Sequence, residues 1–397
     1  MAGVTKSIYE RDIIEICKMW NKQLKTIERI LPQYYSKEDI IALLKQFYPH
    51  EWNSVQFKYE YYTIKDKYLK RIKGRTRYNM EMPEKLIEQS QVFKRISSVI
   101  SKKAYSQSFN QAGVDQEEQL LWKKRKPKIE RINTKIEKAK LKTQQVTPDF
   151  LDQLIGLYER KNTTQKDRMY ILLELKKYYN SKIINFFFKL NDTEINRQLR
   201  ETAFYHLQSF NYQPRLRRQK YMQVRTKNKK KKAYLKKEYA FQTFKIPLNP
   251  DELEYRINNS PEQNIKSYDY FISHSSKDSK IVQELIIRLN SEGKNVYCDW
   301  ISDSDYLKWN LVREATLKVI EKRLAQSKAI LFVHSNHSTE SIWCKYELNY
   351  FAEMNKPIYQ IDIFDIENGN YIINQLTDKW FYDKEYKTLT LLNGTSE

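Results

Sequence analysis

Hydrophobic positions along the chain follow two rhythms, and the change comes about two-thirds of the way along. From Ile8 to Leu31 apolar residues recur every three or four positions among charged ones, which predicts an amphipathic helix closed by Pro32. "SKEDIIALLKQFY", from Ser36, opens a second helix with a capping-type start. Gln116–Lys142 reads as a long charged helical stretch that Pro127 should kink or split. "TPDFLDQLIGLYERK", from Thr147, carries another helix start, and "KDRMYILLELKKYYNSKIINFFFKL" and "TEINRQLRETAFYHLQSF" are strongly amphipathic. Their Leu-, Ile-, Phe- and Tyr-rich faces are enough for a helical bundle or a stack of helix pairs. Pro247, Pro250, Pro261 and the polar run "NNSPEQNIKS" then break the periodicity, so 251–265 reads as a linker.

Beyond Lys266 short apolar runs alternate with helical patterns. Tyr268–Ser273, Asn295–Trp300, Lys328–Ser335 and "KPIYQIDIF" read as strands. Between them "SKIVQELIIRLNSEG" (ended by Gly293), "LVREATLKVIEKRLAQS" and "TESIWCKYELNYFAEM" read as helices. This alternation predicts a parallel sheet with helices on both faces, whose ligand site lies beyond the carboxyl ends of the strands. Ser273 to Asp278, Asp299 with Trp300, and His334, Ser335 and His337 occupy those ends. Neither a GxGxxG fingerprint nor a P-loop is present.

The last of those helices raises a question of its own. At 100° per residue Lys345, Asn349, Ala352 and Glu353 share one side, and Trp343, Tyr350, Phe351 and Met354 the other. Glu347 falls in the middle of the aromatic side, where a carboxylate is costly to bury without a partner.

Charge sharpens the division. The net charge is +22, but residues 1–250 carry 54 Lys+Arg against 26 Asp+Glu, whereas residues 251–397 carry 17 against 23. That break predicts a basic, mainly helical region over 1–250, for sensing or assembly and divisible into two subdomains, followed by the linker and an α/β domain over 266–397. The basic half could attract nucleic acid, an acidic protein or an anionic surface. Its densest stretch, Arg215 to Lys237, has no acid; Arg215, Arg217, Arg218, Lys220, Arg225, Lys229 and Lys230 are candidate phosphate contacts, with Tyr221 and Tyr234 available to stack on bases. The alternative is a solvated basic linker. Three scattered cysteines, Cys17, Cys298 and Cys344, fit a reducing compartment, and no apolar run is long enough to span a bilayer, so a soluble cytoplasmic protein without a membrane partner is expected. His334, His337 and Cys344 make an incomplete ligand set, and no metal site is expected.

"YDYFISHSSKDS", "GKNVYCDWISDSD" and "SIWCKYEL", in this order and spacing, resemble the first strand and loop, the second strand, and the Trp- and Glu-bearing helix of TIR (Toll/interleukin-1 receptor) domains; "KWF" at Lys379–Phe381 echoes a late aromatic motif. The resemblance covers about Lys266 to Leu392 and implies a flavodoxin-like α/β fold. Many bacterial and plant TIR domains cleave NAD+ at the nicotinamide–ribose bond with a Glu four residues beyond a Trp, the place of Glu347 after Trp343. By that resemblance Glu347 is the catalytic residue. Ser273, Ser275, Lys277, Asp299, Trp309 and Trp343 are substrate contacts, Lys277 standing in for the paired Arg of some relatives. NAD+ is then substrate, and no cofactor is expected. The family also implies self-association through TIR domains and antiphage defence by NAD+ depletion once a trigger, nucleic acid or phage-derived, is sensed. Other TIR domains make a cyclic ADP-ribose signal, and others are non-catalytic adaptors; these stay open as alternatives.

Overall fold

The computed structural model describes residues 4–224, 226–307 and 313–376, which form two compact units. Arg225, Trp309 and the Lys379–Phe381 motif lie outside the described residues.

The first unit holds residues up to 137 together with 211–213. Its helix α1 (Val4–Ile27) buries Ile16, Trp20, Leu24 and Ile27, a helical i, i+4 stripe. Helix α2 (Lys37–Phe47) starts at the expected capping box: Asp39 N–H donates to Ser36 Oγ at 3.2 Å, and Ser36 N–H donates to the Asp39 carboxylate at 2.8 Å. Helix α3 (Pro49–Lys73) has Pro at its first turn and ends at Gly74, whose φ of +69° suits a residue without Cβ. Of the two outcomes expected at Pro127, a kink or a split, the split does not occur: helix α4 (Gln111–Leu141) runs through it. Pro127 is exposed there, so water can satisfy the carbonyl whose N–H partner is missing.

The second unit runs from Lys138 through the α/β domain. The boundary therefore does not follow the charge break at residue 250, because charge is a property of surfaces whereas units are defined by packing. Helices α5 (Phe150–Glu159), α6 (Gln165–Leu175), α7 (Ser181–Thr193) and α8 (Arg197–Ser209) belong to it. The expected linker is α9 (Pro250–Asn259) followed by a short turn at Pro261–Asn264. Asn249 caps α9 by accepting from Glu252 N–H, and Pro250 fits its first turn, so prolines that read as breakers here start helices.

The sheet has the order β2-β1-β3-β4-β5, with β1 (Tyr268–Ser273), β2 (Val296–Tyr297), β3 (Ser327–His334) and β4 (Ile358–Asp362) parallel and the short β5 (Asn374–Gln375) antiparallel at the edge. Alternation divides the core. Phe271, Ile330 and Phe332 pack with Leu324, Leu348 and Phe351 on one face; Ile272, Leu331 and Val333 pack with Val282, Leu285 and Ile286 on the other. Helix α10 (Ser279–Ser291) covers the second face, and α11 (Glu314–Ala325) and α12 (Ile342–Ala352) supply the first. The second strand is shorter than its apolar run, because the chain turns into helix at Asp299–Ser302. The helix read from Thr339 breaks at Ser341, which accepts from Cys344 N–H and starts α12 afresh.

A buried charge network joins α6 to the α/β domain. Glu174 meets Lys177 at 2.8 Å and Lys266 at 2.7 Å, Lys177 meets Asp303 at 3.1 Å, and Arg323 meets Asp303 at 2.8 Å. Gln263 links them further, donating to Glu174 and accepting from Lys266 and Arg323. Burial alone would raise the Glu174 carboxyl, but Lys177 and Lys266 hold it down to about 2. Burial, with Arg323 close by, pushes Lys266 down to about 7. Such networks add little net stability but leave a large penalty when one member is removed.

Candidate functional site

Beyond the carboxyl ends of β1 and β2 lies a cleft of about 950 Å³, within the range of small-molecule sites. One wall is α12, which is seated by Cys344, Leu348 and Phe351. The buried stripe is thus rotated from the one read by wheel. Trp343 and Glu347 stand on its flank, one turn apart, and both line the cleft. Glu347 is therefore neither solvated nor packed in the core but held at a partly buried rim.

Its hydrogen-bond partner is Ser273, the last residue of β1, whose Oγ donates to Glu347 Oε2 at 2.6 Å. Ser273 shares the α12-facing side of β1 with Phe271, so strand alternation aims the hydroxyl at the helix. Burial pushes the Glu347 carboxyl up to about 8; the Ser273 hydrogen bond opposes this, and the negative charge of Asp299 adds to it. Among the described residues Lys280 is the one Lys or Arg lining the cleft. Among the described residues no ion pair is made by the Glu347 carboxylate.

The other predicted residues divide. Ser275 lines the cleft and receives Lys277 N–H at the start of the next turn, and Asp299 lines it from the turn after β2. Lys277 is exposed and does not line the cleft; Lys280, one helical turn on, lines it instead. Trp309 lies outside the described residues. Gln283, Glu284 and Ile287 on α10, Thr316 and Ile320 on α11, and Leu141 are also in its walls. Lys280 follows from its phase on α10, but nothing near Leu141 in the sequence marks it as part of this cleft. None of Arg215, Arg217, Arg218, Lys220, Lys229 and Lys230 lines the cleft.

His274 has a supporting part. Trp300 Nε1–H donates to its Nε2 at 3.0 Å, which puts the ring proton on Nδ1, 3.3 Å from the Ile272 carbonyl oxygen. His274, Cys298 and Asp299 bring ligand atoms within 4.8 Å of one another, but both ring nitrogens are engaged and burial pushes the Cys298 thiol well above its ordinary value. That donor set does not fit a metal ion. His334 Nδ1 lies 2.9 Å from Asp362 Oδ2, and Cys344 is on the buried face of α12, so these two members of the other His/Cys set are engaged elsewhere. Ser335 Oγ donates to the buried Asp278 at 2.5 Å, tying the loop after β1 to the loop after β3.

Residues 271–370 match the TIR domain family. A protein of Cytobacillus dafuensis named "Putative cyclic ADP-D-ribose synthase TIR2" is 35% identical over 394 residues, 99% of both chains. "Probable 3' cyclic ADP-D-ribose synthase ThsB'" of Bacillus cereus (strain MSX-D12) is 29% identical over 139 residues, 33% of this chain and 67% of that one. No solved structure matches. The first relationship spans both units, and on these grounds the chain belongs to the TIR-domain proteins.

Proposed function

We propose that this chain cleaves the nicotinamide–ribose bond of NAD+ in the cleft around Glu347. The observation that carries the reading is a carboxyl raised to about 8 at the rim of a cleft, bonded to a serine hydroxyl and, among the described residues, in no ion pair. Nicotinamide in NAD+ is a cation and leaves neutral, both electrons of the C1′–N bond going to its nitrogen, so no acid is required. The group that is required is an anion beside the ribosyl cation. The pyridinium entering the cleft favours ionised Glu347, so binding at neutral pH expels the proton that the empty site holds. Trp343 offers a ring to nicotinamide or ribose, Ser275 a hydroxyl, and Lys280 a charge for the pyrophosphate.

The ribosyl cation is then captured at C1′. Water gives linear ADP-ribose; a hydroxyl or ring nitrogen of the same molecule's adenosine half gives a cyclic product. Where water or a hydroxyl attacks, its proton passes to the Glu347 carboxylate, whose affinity for protons near neutrality suits a general base; a ring nitrogen attacks with its lone pair and releases no proton. The names of the two relatives favour the cyclic product. Assembly through TIR domains and an output in antiphage defence, by NAD+ loss or by a cyclic signal, belong to the same reading.

Incubation with NAD+ tests it. Free nicotinamide should accumulate, the nucleotide product should be one water lighter than ADP-ribose, and Glu347→Gln should abolish both while the protein stays folded. Turnover per chain should also rise with protein concentration. Nicotinamide release that Glu347→Gln leaves unchanged would count against the site, and no release at any concentration or with any trigger would point to an adaptor.

A further inference from the structure

The acid-free stretch from Arg215 to Lys237 is not a free linker. Its flanks are stitched to α7 and α8 and to the turn between those helices. Asn191 Nδ2–H donates to the Arg215 carbonyl at 3.1 Å, and Gln219 Nε2–H donates to the Ile195 carbonyl at 2.7 Å while its Oε1 accepts from Arg200. At the far end Asn196 donates to the carbonyls of Tyr239 and Gln242, Arg197 N–H to that of Ala240, and Gln198 to that of Phe244. Met222, Tyr239 and Ala240 are buried beneath it. The result is an anchored strap. Between the pins it presents Lys220, Lys227, Lys229 to Lys232, Lys236 and Lys237 to solvent, with Tyr221 and Tyr234 each 46% exposed.

Lys229 to Lys232 are consecutive on one short helix, close enough to repel one another inside a Debye length, and no acid lies among the eight cations before Glu238. An anchored strap keeps them together where a free linker would let them spread. We infer that the strap is a binding site for single-stranded nucleic acid, its lysines meeting successive phosphates and Tyr221 and Tyr234 stacking on unpaired bases. Exposed tyrosine rings favour a single strand over a duplex, whose bases are already stacked, and over a vesicle or an acidic peptide, which offers no base to stack on. The site is separate from the cleft around Glu347 and does not depend on the reading given for it.

Fluorescence anisotropy on the full chain with labelled oligo-dT, oligo-U and a DNA duplex tests the site, alongside pelleting with phosphatidylserine vesicles. Both single strands should bind, more tightly than the duplex, and log affinity should fall with log salt by about 0.7 per contacted phosphate. Replacing Lys229, Lys230, Lys231 and Lys232 together by Gln should weaken binding by about tenfold or more and flatten the salt slope, since every phosphate left without its lysine releases one counterion fewer. Tyr221→Ala with Tyr234→Ala should weaken single-strand binding several-fold with the slope unchanged. These side chains are exposed, so circular dichroism should show an intact fold, and nicotinamide release without nucleic acid should be unaltered. Binding that ignores salt, that survives the four-lysine variant, or that is confined to vesicles would overturn the assignment.

Discussion

Two carboxylates in the same unit show how neighbours decide what a buried charge is for. Glu174 is buried and Glu347 is half-buried at the rim of a cleft, yet Glu174 is held down to about 2 and Glu347 is pushed up to about 8. Glu174 sits in a closed set with Lys177, Lys266 and Gln263, and every one of its needs is met within the protein. Glu347 has one hydroxyl, a neighbouring Asp299 and an open cleft. The first is a finished structural element. The second is a carboxyl with a perturbed proton affinity that faces a cleft, the kind of group that marks a candidate site, and under the proposed function the NAD+ pyridinium is the charge that meets it.

The comparison can be broken most directly at its ends. Glu347→Gln should lower nicotinamide release on the order of 10³-fold, as loss of a transition-state charge partner does, with thermal stability retained. Glu174→Ala should do the reverse in kind: it leaves two buried lysines short of their anion, and unfolding by denaturant should show a loss of about 3–5 kcal/mol. If Glu174→Ala left stability untouched while Glu347→Gln unfolded the protein, the assignments would have to be exchanged.

The two groups also predict opposite pH behaviour. Glu174 binds protons more weakly folded than unfolded, so its contribution to stability is present above the ordinary carboxylate range and is lost as pH falls towards about 2. Glu347 binds protons more strongly folded, so its contribution is full at acid pH and is lost as pH rises towards about 8. Glu347→Gln should therefore unfold at a higher temperature than the parent at pH 9 and at nearly the same temperature at pH 4. The kcat/KM of the parent should rise with pH and level off above about 8, since the free enzyme's carboxylate is the reactive form.

Smaller effects sharpen the picture. Ser273→Ala removes the hydrogen bond that lowers the Glu347 carboxyl, so the kcat/KM profile should move to higher pH and activity near neutrality should fall by roughly tenfold. Lys280→Ala should raise KM several-fold, whereas Lys277→Ala should be close to neutral, a contrast that steady-state kinetics would read directly.

Much of the α/β domain was legible because its strands are apolar runs buried on both faces and its helices are amphipathic; β1 falls on the residues expected, Tyr268–Ser273. The break at Ser341 and the short β2 were not legible, since both depend on local caps that compete with a continuing pattern. Glu347 drew attention as a charge on an aromatic side, but the wheel put it at the centre of the buried face, whereas packing through Cys344 and Leu348 turns it to the flank. The run over 251–265 read as a linker because its prolines and polar residues break periodicity, yet the same residues cap helices and fill a charge network.

By itself the sequence determined the layered α/β domain, the Trp343–Glu347 spacing and the acid-free basic run, because each is a pattern within one element or one contiguous stretch. Only the tertiary structure decided which hydroxyl meets Glu347, that Leu141 reaches the wall of the cleft, that Glu174 closes a charge network with Lys266, Asp303 and Arg323, and that the basic run is an anchored strap. Periodicity fixes how a side chain points relative to its own helix or strand; which side chain from a distant element it meets is set by topology and packing, and no local pattern encodes that.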